Sequence, residues 1–351
     1  MKKIIALMMI MMLSMSLVAC TRPKPHVFYD YMDTLIVIDI PIYNKKQRSE
    51  LLEHIEEIYK TYHDLTNNYG PLSNDEDFKE NIYSINQKIN QEIEIDKELY
   101  DLLQEAKTIH ELTNGYFDVS IGKIVDIWKD IILNDEYFHR EIPQVVFDQV
   151  LIQLQAIDVV EEPFVLTEDN GSYYVRLTHE DVKLDLGAIS KGYATQLVYD
   201  YLIEEGITYF SINAGTSSLS LGKKIDRESK MYHITLANPV ENGQYGMLYV
   251  QNKAINTSGN FEQYALYNDL RYHHVISPKT KLPAQHYHTV TVIGDDAGLL
   301  DALSTALFSM SSDDFEVFID EHQETLNLEV IRFNYDETVS TFLLDTVFEA
   351  F

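Results

Sequence analysis

The sequence is poor in cysteine, in positive charge and in long apolar runs, and each shortage excludes a class of protein. Cys20 is the one cysteine in 351 residues, which excludes a disulfide framework and any cysteine-rich zinc or iron–sulfur site. Lysine and arginine number 27 against 56 aspartate and glutamate residues, for a net charge of -29. A chain this acidic lacks the cations that neutralise nucleic-acid phosphates, so we expect no nucleic-acid partner.

The apolar content is that of an ordinary folded protein. Apolar residues make up 45% of the chain and charged residues 24%, so a core of normal size can be buried. The length suits one large domain or two ordinary ones. Because no Pro/Ser-rich linker follows residue 26 and no repeat stands out, we expect a single domain with two lobes.

The one apolar run that could contact a membrane lies at the N-terminus. Lys2 and Lys3 precede an uncharged stretch over residues 4–18, and Cys20 follows it in the order Leu-Val-Ala-Cys. The pattern is that of a secretory signal, and the cysteine makes it similar to a bacterial lipoprotein signal. It predicts a lipidated Cys20 that holds the protein at the extracytoplasmic face of the cell membrane. The alternative is an ordinary signal peptide with an incidental cysteine. The predicted segments are a signal peptide, a lipid-anchored tether and a folded domain: residues 1–19, 20–29 and 30–351.

Hydrophobic periodicity predicts a mixed order of helices and strands. The predicted helices cover residues 48–62, 97–112, 191–205, 297–310 and 313–321, the fourth of them capped by Asp296. The predicted strands cover residues 34–40, 172–178, 182–186, 207–213, 231–237, 245–250, 288–293, 326–333 and 341–344. This mixture is typical of an α+β fold.

Two segments join a predicted strand to small residues. Asp185–Ala194 (DLGAISKGYA) would expose backbone N–H groups at a helix N-terminus beside Lys191, a combination that suits a phosphate. Ser211–Ser218 (SINAGTSS) carries Asn213, which could read a base or flavin edge, and Gly215, which permits close backbone approach. Each segment alone also fits an ordinary helix start or a tight strand exit.

Two further segments supply candidates for a base and for metal ligands. His273 and His274 are neighbours on a predicted strand, so at most one of them enters a given site, where it can act as a general base. Asp301 and Thr305 lie four residues apart on a helix of leucine and alanine, and therefore face the same way. Their oxygens suit a Mg²⁺ ion that also holds a substrate phosphate. The alternatives are one surface and one packed histidine, and an ordinary aspartate on a helix surface.

Taken together, the order and spacing of these segments resemble the ApbE family of flavin transferases. The matching motifs are MDT at 32–34, TNGYFDVSIG at 113–122 followed by Trp128, DLGAISKGYA at 185–194, INAG at 212–215, TSGNF at 257–261, RYHHVISP at 271–278 and DALSTAL at 301–307. The resemblance implies the ApbE-like α+β fold, related to the T-fold. It also implies an enzyme that takes FAD, releases AMP and leaves FMN as a phosphoester on a threonine or serine of a target protein.

The resemblance implies roles for individual residues. Asp301, Thr305 and the backbone carbonyl of Ala188 would bind Mg²⁺, with Ser304 near the ion. His274 would be the catalytic base and would contact FAD. The other implied FAD-contact residues are Met32, Asn68, Tyr69, Tyr116, Phe117, Asp118, Asp185 and Lys191. The implied partner is an extracytoplasmic acceptor flavoprotein or a subunit of a redox complex.

Two departures from the family pattern bear on the chemistry. Ser277 stands where the family has aspartate before a proline, and a missing carboxylate would leave His274 less basic or less well oriented. Residues 216–218 (TSS) follow INAG where many relatives have Gly-Asn.

Three alternative functions stay open. An FAD pyrophosphatase, which releases free FMN and AMP, would use the same metal and base. A non-enzymatic flavin-binding lipoprotein would need no metal, so Asp301 and Thr305 argue against it. A solute-binding lipoprotein of a transporter would leave the DALSTAL helix without a role.

Overall fold

The computed structural model describes residues 22–73, 77–215, 217–225 and 228–351. The predicted signal peptide, the predicted lipidation site at Cys20 and Thr216 of the TSS departure lie outside these ranges. In the part of the chain that is described, no helix combines the length and apolar character needed to cross a bilayer.

Helices and antiparallel strands are mixed along the chain, which confirms the predicted α+β class. The helices are α1 (Lys45–Thr66), α2 (Ile82–Ile85), α3 (Lys97–Leu112), α4 (Gly122–Ile132), α5 (Gln144–Gln155), α6 (Ser190–Glu204), α7 (Ala297–Ser309) and α8 (Ser312–His322). The strands are β1 (His26–Phe28), β2 (Ile36–Asp39), β3 (Ile93–Ile95), β4 (Phe164–Asp169), β5 (Ser172–Leu177), β6 (Ser211–Ala214), β7 (Ser218–Leu221), β8 (Tyr232–Ala237), β9 (Gln244–Val250), β10 (Lys253–Gly259), β11 (Tyr264–Tyr267), β12 (Leu270–His273), β13 (Tyr287–Gly294), β14 (Glu329–Asn334), β15 (Val339–Phe342) and β16 (Val347–Ala350).

An eight-stranded antiparallel sheet forms the frame of the molecule, in the order β1-β2-β6-β7-β10-β13-β14-β15. Strands β10 and β13 lie near its centre, with Asn256 opposite Val292. Because successive side chains of a strand point to opposite faces, Asn256 reaches helix α7 while Ile255 packs on the other side of the sheet. Smaller sheets are formed by β3-β5-β4, by β16-β9-β8 and by the hairpin β11-β12.

Buried apolar side chains form three clusters. The largest lies between the main sheet and helices α1, α3, α6 and α7. The second gathers α4, α5 and the β11-β12 hairpin around Trp128, whose ring stacks on Tyr272 with 5.3 Å between centroids. The third joins the opposite face of the main sheet to β8 and β9. The second cluster forms a lobe beside the main layers.

Helices α6 and α7 cross with almost no space between their backbones. A Cβ atom added to Gly192 would lie 2.2 Å from the carbonyl oxygen of Ala297 and 2.5 Å from Cβ of Asp301, so only glycine permits this approach. Helix α7 begins as predicted, because the Asp296 side chain accepts a hydrogen bond from the N–H of Leu299 at 2.9 Å. The crossing buries α7 between α6 and the main sheet.

The predicted strand over residues 182–186 is instead an extended connection. The N–H of Leu184 donates to Oδ1 of Asn86 at 2.7 Å, and Nδ2 of Asn86 donates back to the Leu184 carbonyl at 2.9 Å. An asparagine side chain therefore takes the place of a neighbouring strand. On the other side, an isolated bridge pairs Lys183 with Ile121, and the N–H of Asp185 donates to the carbonyl of Val119 at 2.8 Å. The prediction of a strand was wrong because the segment has no full ladder partner.

The folded part begins earlier than the predicted boundary at residue 30. Strand β1 lies within the segment predicted as a tether, yet it pairs with β2 at the edge of the main sheet. Arg22 forms an ion pair with Asp39 at 2.7 Å, and Arg48 donates a hydrogen bond to the carbonyl oxygen of Lys24. Residues 22–28 are therefore attached to the domain.

At Gly192, we expect alanine to lower the free energy of unfolding by roughly 1–3 kcal/mol, because overpacking of a close contact costs about this much. Urea unfolding followed by circular dichroism would measure the change. Gly70→Ala is the control, since nothing lies within 4 Å of the added carbon, and we expect no comparable loss there. A Gly192→Ala protein as stable as the Gly70→Ala protein would show that the helices have room to separate.

Candidate active site

A cavity of about 320 Å³ lies between the largest core cluster and the lobe around Trp128. Its wall includes Ile121, Val125 and Ile276 on the side of the lobe. Most of the predicted site residues line it: Tyr116, Phe117, Asp118, Asp185, Ala188, Lys191, His274, Asp301, Ser304 and Thr305. Motifs that lie far apart in the sequence therefore meet around one space.

Asp301 contributes a buried carboxylate to this cavity, with 6% of the residue exposed. Its Oδ2 accepts a hydrogen bond from the N–H of Gly192 at 2.9 Å, and its Oδ1 accepts one from Nδ2 of Asn256 at 3.1 Å. Burial raises the pKa of Asp301 above its ordinary value, although Lys191 and the two donors act in the opposite direction. Among the described residues no cation forms a salt bridge with Asp301, so a bound cation would stabilise its charge.

The neighbours of Asp301 on helix α7 supply further oxygens. Thr305 lies one turn later and lines the same cavity, as its spacing predicts. The Ser304 hydroxyl is already engaged, since it donates to the Asp301 carbonyl at 2.9 Å and is hydrogen-bonded to Oγ of Ser258 at 2.9 Å. Ala188 lines the cavity from the segment that precedes α6.

This set of oxygens fits a Mg²⁺ ion. A carboxylate, a hydroxyl and a carbonyl are hard donors of the kind that Mg²⁺ prefers, and the ion usually keeps waters and substrate phosphates as its other ligands. Across residues 22–73, 77–215, 217–225 and 228–351, no three His, Cys, Asp or Glu side chains are placed to hold an ion together. Of the three oxygen donors, the Asp301 carboxylate is the one that carries a charge.

The segment that leads into α6, together with the first turn of that helix, differs from the predicted set of free phosphate-binding N–H groups. The N–H of Gly187 donates to Oδ1 of Asp185 at 2.9 Å, and the N–H of Gly192 donates to the Asp301 carboxylate. Two of the donors expected for a phosphate are thus engaged by side chains of the protein. Lys191 lines the cavity and is the cation that this segment offers to an anion.

The two neighbouring histidines separate as predicted, although the strand expected to hold both ends at His273. His273 is fully buried, where Nε2 donates to the Ala284 carbonyl at 2.7 Å and Nδ1 accepts from the N–H of Val275 at 3.2 Å. These two partners fix one neutral tautomer, and burial lowers the pKa of His273 to about 3. His274 lies directly after β12 and lines the cavity. One histidine of the pair is therefore structural and the other is available for chemistry.

His274 is a neutral imidazole at pH 7. Its side chain is open to the cavity. Desolvation by the protein around it lowers the pKa of His274 to about 4, and the positive charges of Lys191 and Lys129 act in the same direction. A hydrogen bond to the backbone of Gln263 partly opposes this shift. A neutral histidine in a cavity is suited to accept a proton.

Lys129 of helix α4 also lines the cavity, although none of the sequence motifs contains it. Its Nζ lies 3.0 Å from Oδ2 of Asp185 and 3.1 Å from Oη of Tyr69. Burial lowers the pKa of Lys129, but Asp185 and Tyr69 raise it more, so the group is a cation. The sequence does carry a signal, because Ile121, Val125 and Lys129 recur every four residues and all three line the cavity.

Three residues predicted to contact FAD are not among those that line the cavity: Met32, Asn68 and Tyr69. Tyr69 is connected to the cavity through its hydrogen bond with Lys129. Asn68 is largely buried, and its Oδ1 accepts a hydrogen bond from Asn86 at 3.0 Å. Met32 packs in the largest core cluster. A role for these residues toward FAD stays a prediction.

Tyr116 and Asp118 lie on the same connection between α3 and α4. The Tyr116 hydroxyl donates to Oδ2 of Asp314 at 2.7 Å, and burial together with Asp314 raises the pKa of Tyr116 to about 12. Oδ1 of Asp118 accepts the N–H of Ser120 at 2.8 Å, whereas its Oδ2 is buried with no hydrogen-bond partner among the described residues. Asp118 thus lines the cavity while one of its oxygens is buried without a partner in the described part of the chain.

Most of the chain matches one known family of proteins. The model of the ApbE family matches residues 32–329. A FAD:protein FMN transferase of Rhodobacter capsulatus is 31% identical over 228 residues, which cover 64% of this chain and 41% of that protein. A FAD:protein FMN transferase of Klebsiella pneumoniae strain 342 is 27% identical over 222 residues, or 62% of this chain and 64% of that protein. The chain thus spans less than two thirds of the length of either relative.

Solved structures of the family share the fold. The ApbE protein of Thermotoga maritima superposes with a TM-score of 0.72 at 23% identity, covering 91% of this chain and 97% of that one. The flavin transferase ApbE of Vibrio cholerae gives a TM-score of 0.71 at 21% identity, with coverage of 92% and 97%. These likenesses confirm the predicted ApbE-like fold.

The buried His273 should make the fold less stable in acid. Its pKa falls from 6.5 in the unfolded chain to about 3 in the folded protein, so the unfolded state binds more protons between these values. The free energy of unfolding should therefore fall with decreasing pH below about 6.5, by about 1.4 kcal/mol per pH unit from this group. Urea unfolding at a series of pH values would show a shallower dependence in His273→Gln. Equal slopes in the two proteins would contradict the assignment.

Proposed function

The chain belongs to the ApbE family, and on that premise we propose that it is a transferase that moves FMN from FAD to a target protein and releases AMP. The observation that carries this proposal is the cavity that brings together Asp301, Thr305, Lys191 and His274. Cleavage of a pyrophosphate needs a cation site, positive charge beside the phosphates and a base for the attacking hydroxyl. The similarity to proteins named FAD:protein FMN transferase supports the choice of substrate.

In the proposed reaction, the hydroxyl oxygen of a threonine or serine of the target protein attacks the phosphorus of the FMN phosphate. A new phosphorus–oxygen bond forms, and the bond from that phosphorus to the bridging oxygen breaks. AMP leaves with the bridging oxygen and the bonding electron pair. His274 takes the hydroxyl proton on the ring nitrogen that does not bond the Gln263 backbone. Lys191 stabilises the negative charge that develops on the phosphate oxygens.

We propose that Asp301, Thr305 and the Ala188 carbonyl hold Mg²⁺ beside the phosphates, with Ser304 next to them on α7. When bound, Mg²⁺ would stabilise the negative charge of the transferring phosphoryl group. The support for this site is the chemistry of its donors and the buried Asp301 carboxylate. The cavity-lining residues Tyr116, Phe117, Asp118 and Asp185 are proposed contacts of FAD.

We also propose that Cys20 is lipidated and holds the enzyme at the extracytoplasmic face of the cell membrane. The support is in the sequence, where two lysines and the apolar residues 4–18 precede the chain's single cysteine. The acceptor would then be a flavoprotein or redox-complex subunit on the same side of the membrane.

Mass spectrometry of an acceptor peptide would test the transfer. After incubation with FAD and Mg²⁺, a threonine-containing peptide should gain the mass of FMN less one water, with release of an equal amount of AMP. Asp301→Asn should slow the reaction by roughly 100-fold or more, because it removes the charged ligand of the metal. Asp313→Asn, which alters an exposed carboxylate on α8, is the matched control and should retain the wild-type rate.

Other products would identify the alternatives. Free FMN and AMP with an unmodified peptide would favour the FAD pyrophosphatase. Intact FAD that stays bound to the protein would favour the non-enzymatic flavin-binding lipoprotein.

His274→Ala should bind FAD but lose roughly 10²–10⁴-fold in turnover, because the hydroxyl would have no base. Desolvation lowers the pKa of His274 from 6.5 to about 4. As the pH is lowered, wild-type kcat/KM should therefore show no decrease with a midpoint near pH 6.5. The base is neutral above its own pKa and becomes protonated, hence inactive, only below it. AMP release from about pH 8 down to about pH 5 would measure this dependence. A wild-type rate in the variant would remove His274 from the mechanism.

A further inference from the structure

Strand β10 directs two polar side chains from the main sheet toward helix α7, beside the proposed metal site. Asn256 and Ser258 are two residues apart and therefore face the same side of the sheet. Nδ2 of Asn256 donates to Oδ1 of Asp301 at 3.1 Å, and Oγ of Ser258 is hydrogen-bonded to Oγ of Ser304 at 2.9 Å. The strand thus contacts α7 through polar groups at the point where α7 carries its candidate ligands.

The orientation of the Asn256 amide follows from its partner. Only the N–H₂ group can face a carboxylate, because the amide oxygen would place two acceptors against each other. In this orientation Oδ1 of Asn256 is buried and has no hydrogen-bond partner within the described ranges of the chain. An unpaired buried acceptor costs folding free energy. Stability alone therefore does not account for an asparagine at this fully buried position.

The Asp301 carboxylate is held from two sides. Asn256 of β10 donates to one oxygen, and Gly192 of α6 donates to the other. Two donors from separate elements oppose rotation of the carboxylate about its Cβ–Cγ bond. Because an ionised carboxylate offers about four lone-pair sites, acceptor capacity remains on each oxygen.

We propose that Asn256 is a positioning residue for the metal site, which holds the Asp301 carboxylate in the orientation that binds the cation. The inference rests on the proposed function, since that function places a metal at Asp301. Without the amide donor, the carboxylate would have to be ordered when the ion binds. Loss of a hydrogen-bond partner of a metal ligand typically lowers metal affinity by about 10–100-fold.

Metal affinity measured without any flavin would test this role. The probe is Mn²⁺ added to the purified full chain, and the readout is the rise in unfolding temperature with Mn²⁺ concentration. Asn256→Leu replaces the amide with an apolar group of similar size, and Asn256→Ala provides a second variant with less risk of strain. Both should need about 10–100-fold more Mn²⁺ than the wild type for the same rise.

Two further variants separate this site from other effects. An acidic surface also binds Mn²⁺ weakly. The rise in unfolding temperature that remains in Asp301→Asn measures this surface binding, and the part that is lost belongs to the proposed site. Tyr59→Phe removes a different buried hydrogen bond, the one between the hydroxyls of Tyr59 and Thr195 at 3.0 Å, in a pair that does not line the cavity. It should leave the Mn²⁺ dependence unchanged.

The outcomes distinguish this inference from the proposed function. Asn256 variants with the wild-type Mn²⁺ dependence would overturn the positioning role, even where wild-type protein releases AMP from FAD with Mg²⁺. A wild-type rise that does not depend on Asp301 would overturn it as well. Failure of the wild type to release AMP would count against the proposed function, whatever the Mn²⁺ result.

Discussion

The close crossing of helices α6 and α7 at Gly192 is the constraint on which the cavity depends. With no side chain between the helices, the Gly192 N–H reaches the Asp301 carboxylate and helps to hold it. The same approach brings Lys191, the preceding residue, to the cavity that Asp301 lines. A wider separation would remove a donor from Asp301 and move the lysine away from the anion it is proposed to bind.

The crossing also explains why the glycine-containing segment before α6 is not a simple phosphate cradle. Free N–H groups at a helix N-terminus attract phosphates, but they attract carboxylates for the same reason. Here Asp185 and Asp301 occupy two of these donors. The segment thus orders the acidic side chains of the site, and the lysine supplies the positive charge. The sequence motif identifies the backbone N–H donors, but the tertiary structure determines whether a side-chain carboxylate or a ligand accepts their hydrogen bonds.

Features set by local geometry could be predicted from the sequence. The spacing of Asp301 and Thr305 on one helix placed both in the cavity. His273 at the end of β12 is buried, whereas the next residue, His274, lines the cavity. Helix α3 matches its predicted range, with Asn114 and Gly115 in the left-handed conformation just after its end. In each case the outcome depends on residues only a few positions apart.

Features set by distant partners could not be predicted in this way. Helices α4 and α5 begin after Ile121 and Pro143 without a side-chain cap, so the usual signal for a helix start is absent. Lys129 forms an ion pair with Asp185, and the backbone of Leu184 is hydrogen-bonded to the side chain of Asn86. Neither pairing leaves a pattern in the local sequence, because each joins segments that only the tertiary fold brings together.

The early start of the folded domain limits how far the enzyme can extend from a lipid anchor. Arg22 is paired with Asp39, and β1 joins the main sheet from His26. A fully extended chain spans about 3.5 Å per residue, so six residues from Cys20 reach about 20 Å at most. On the proposed anchor, the domain would therefore remain close to the bilayer. An acceptor would therefore have to reach the cavity of a domain that cannot move far from the lipid.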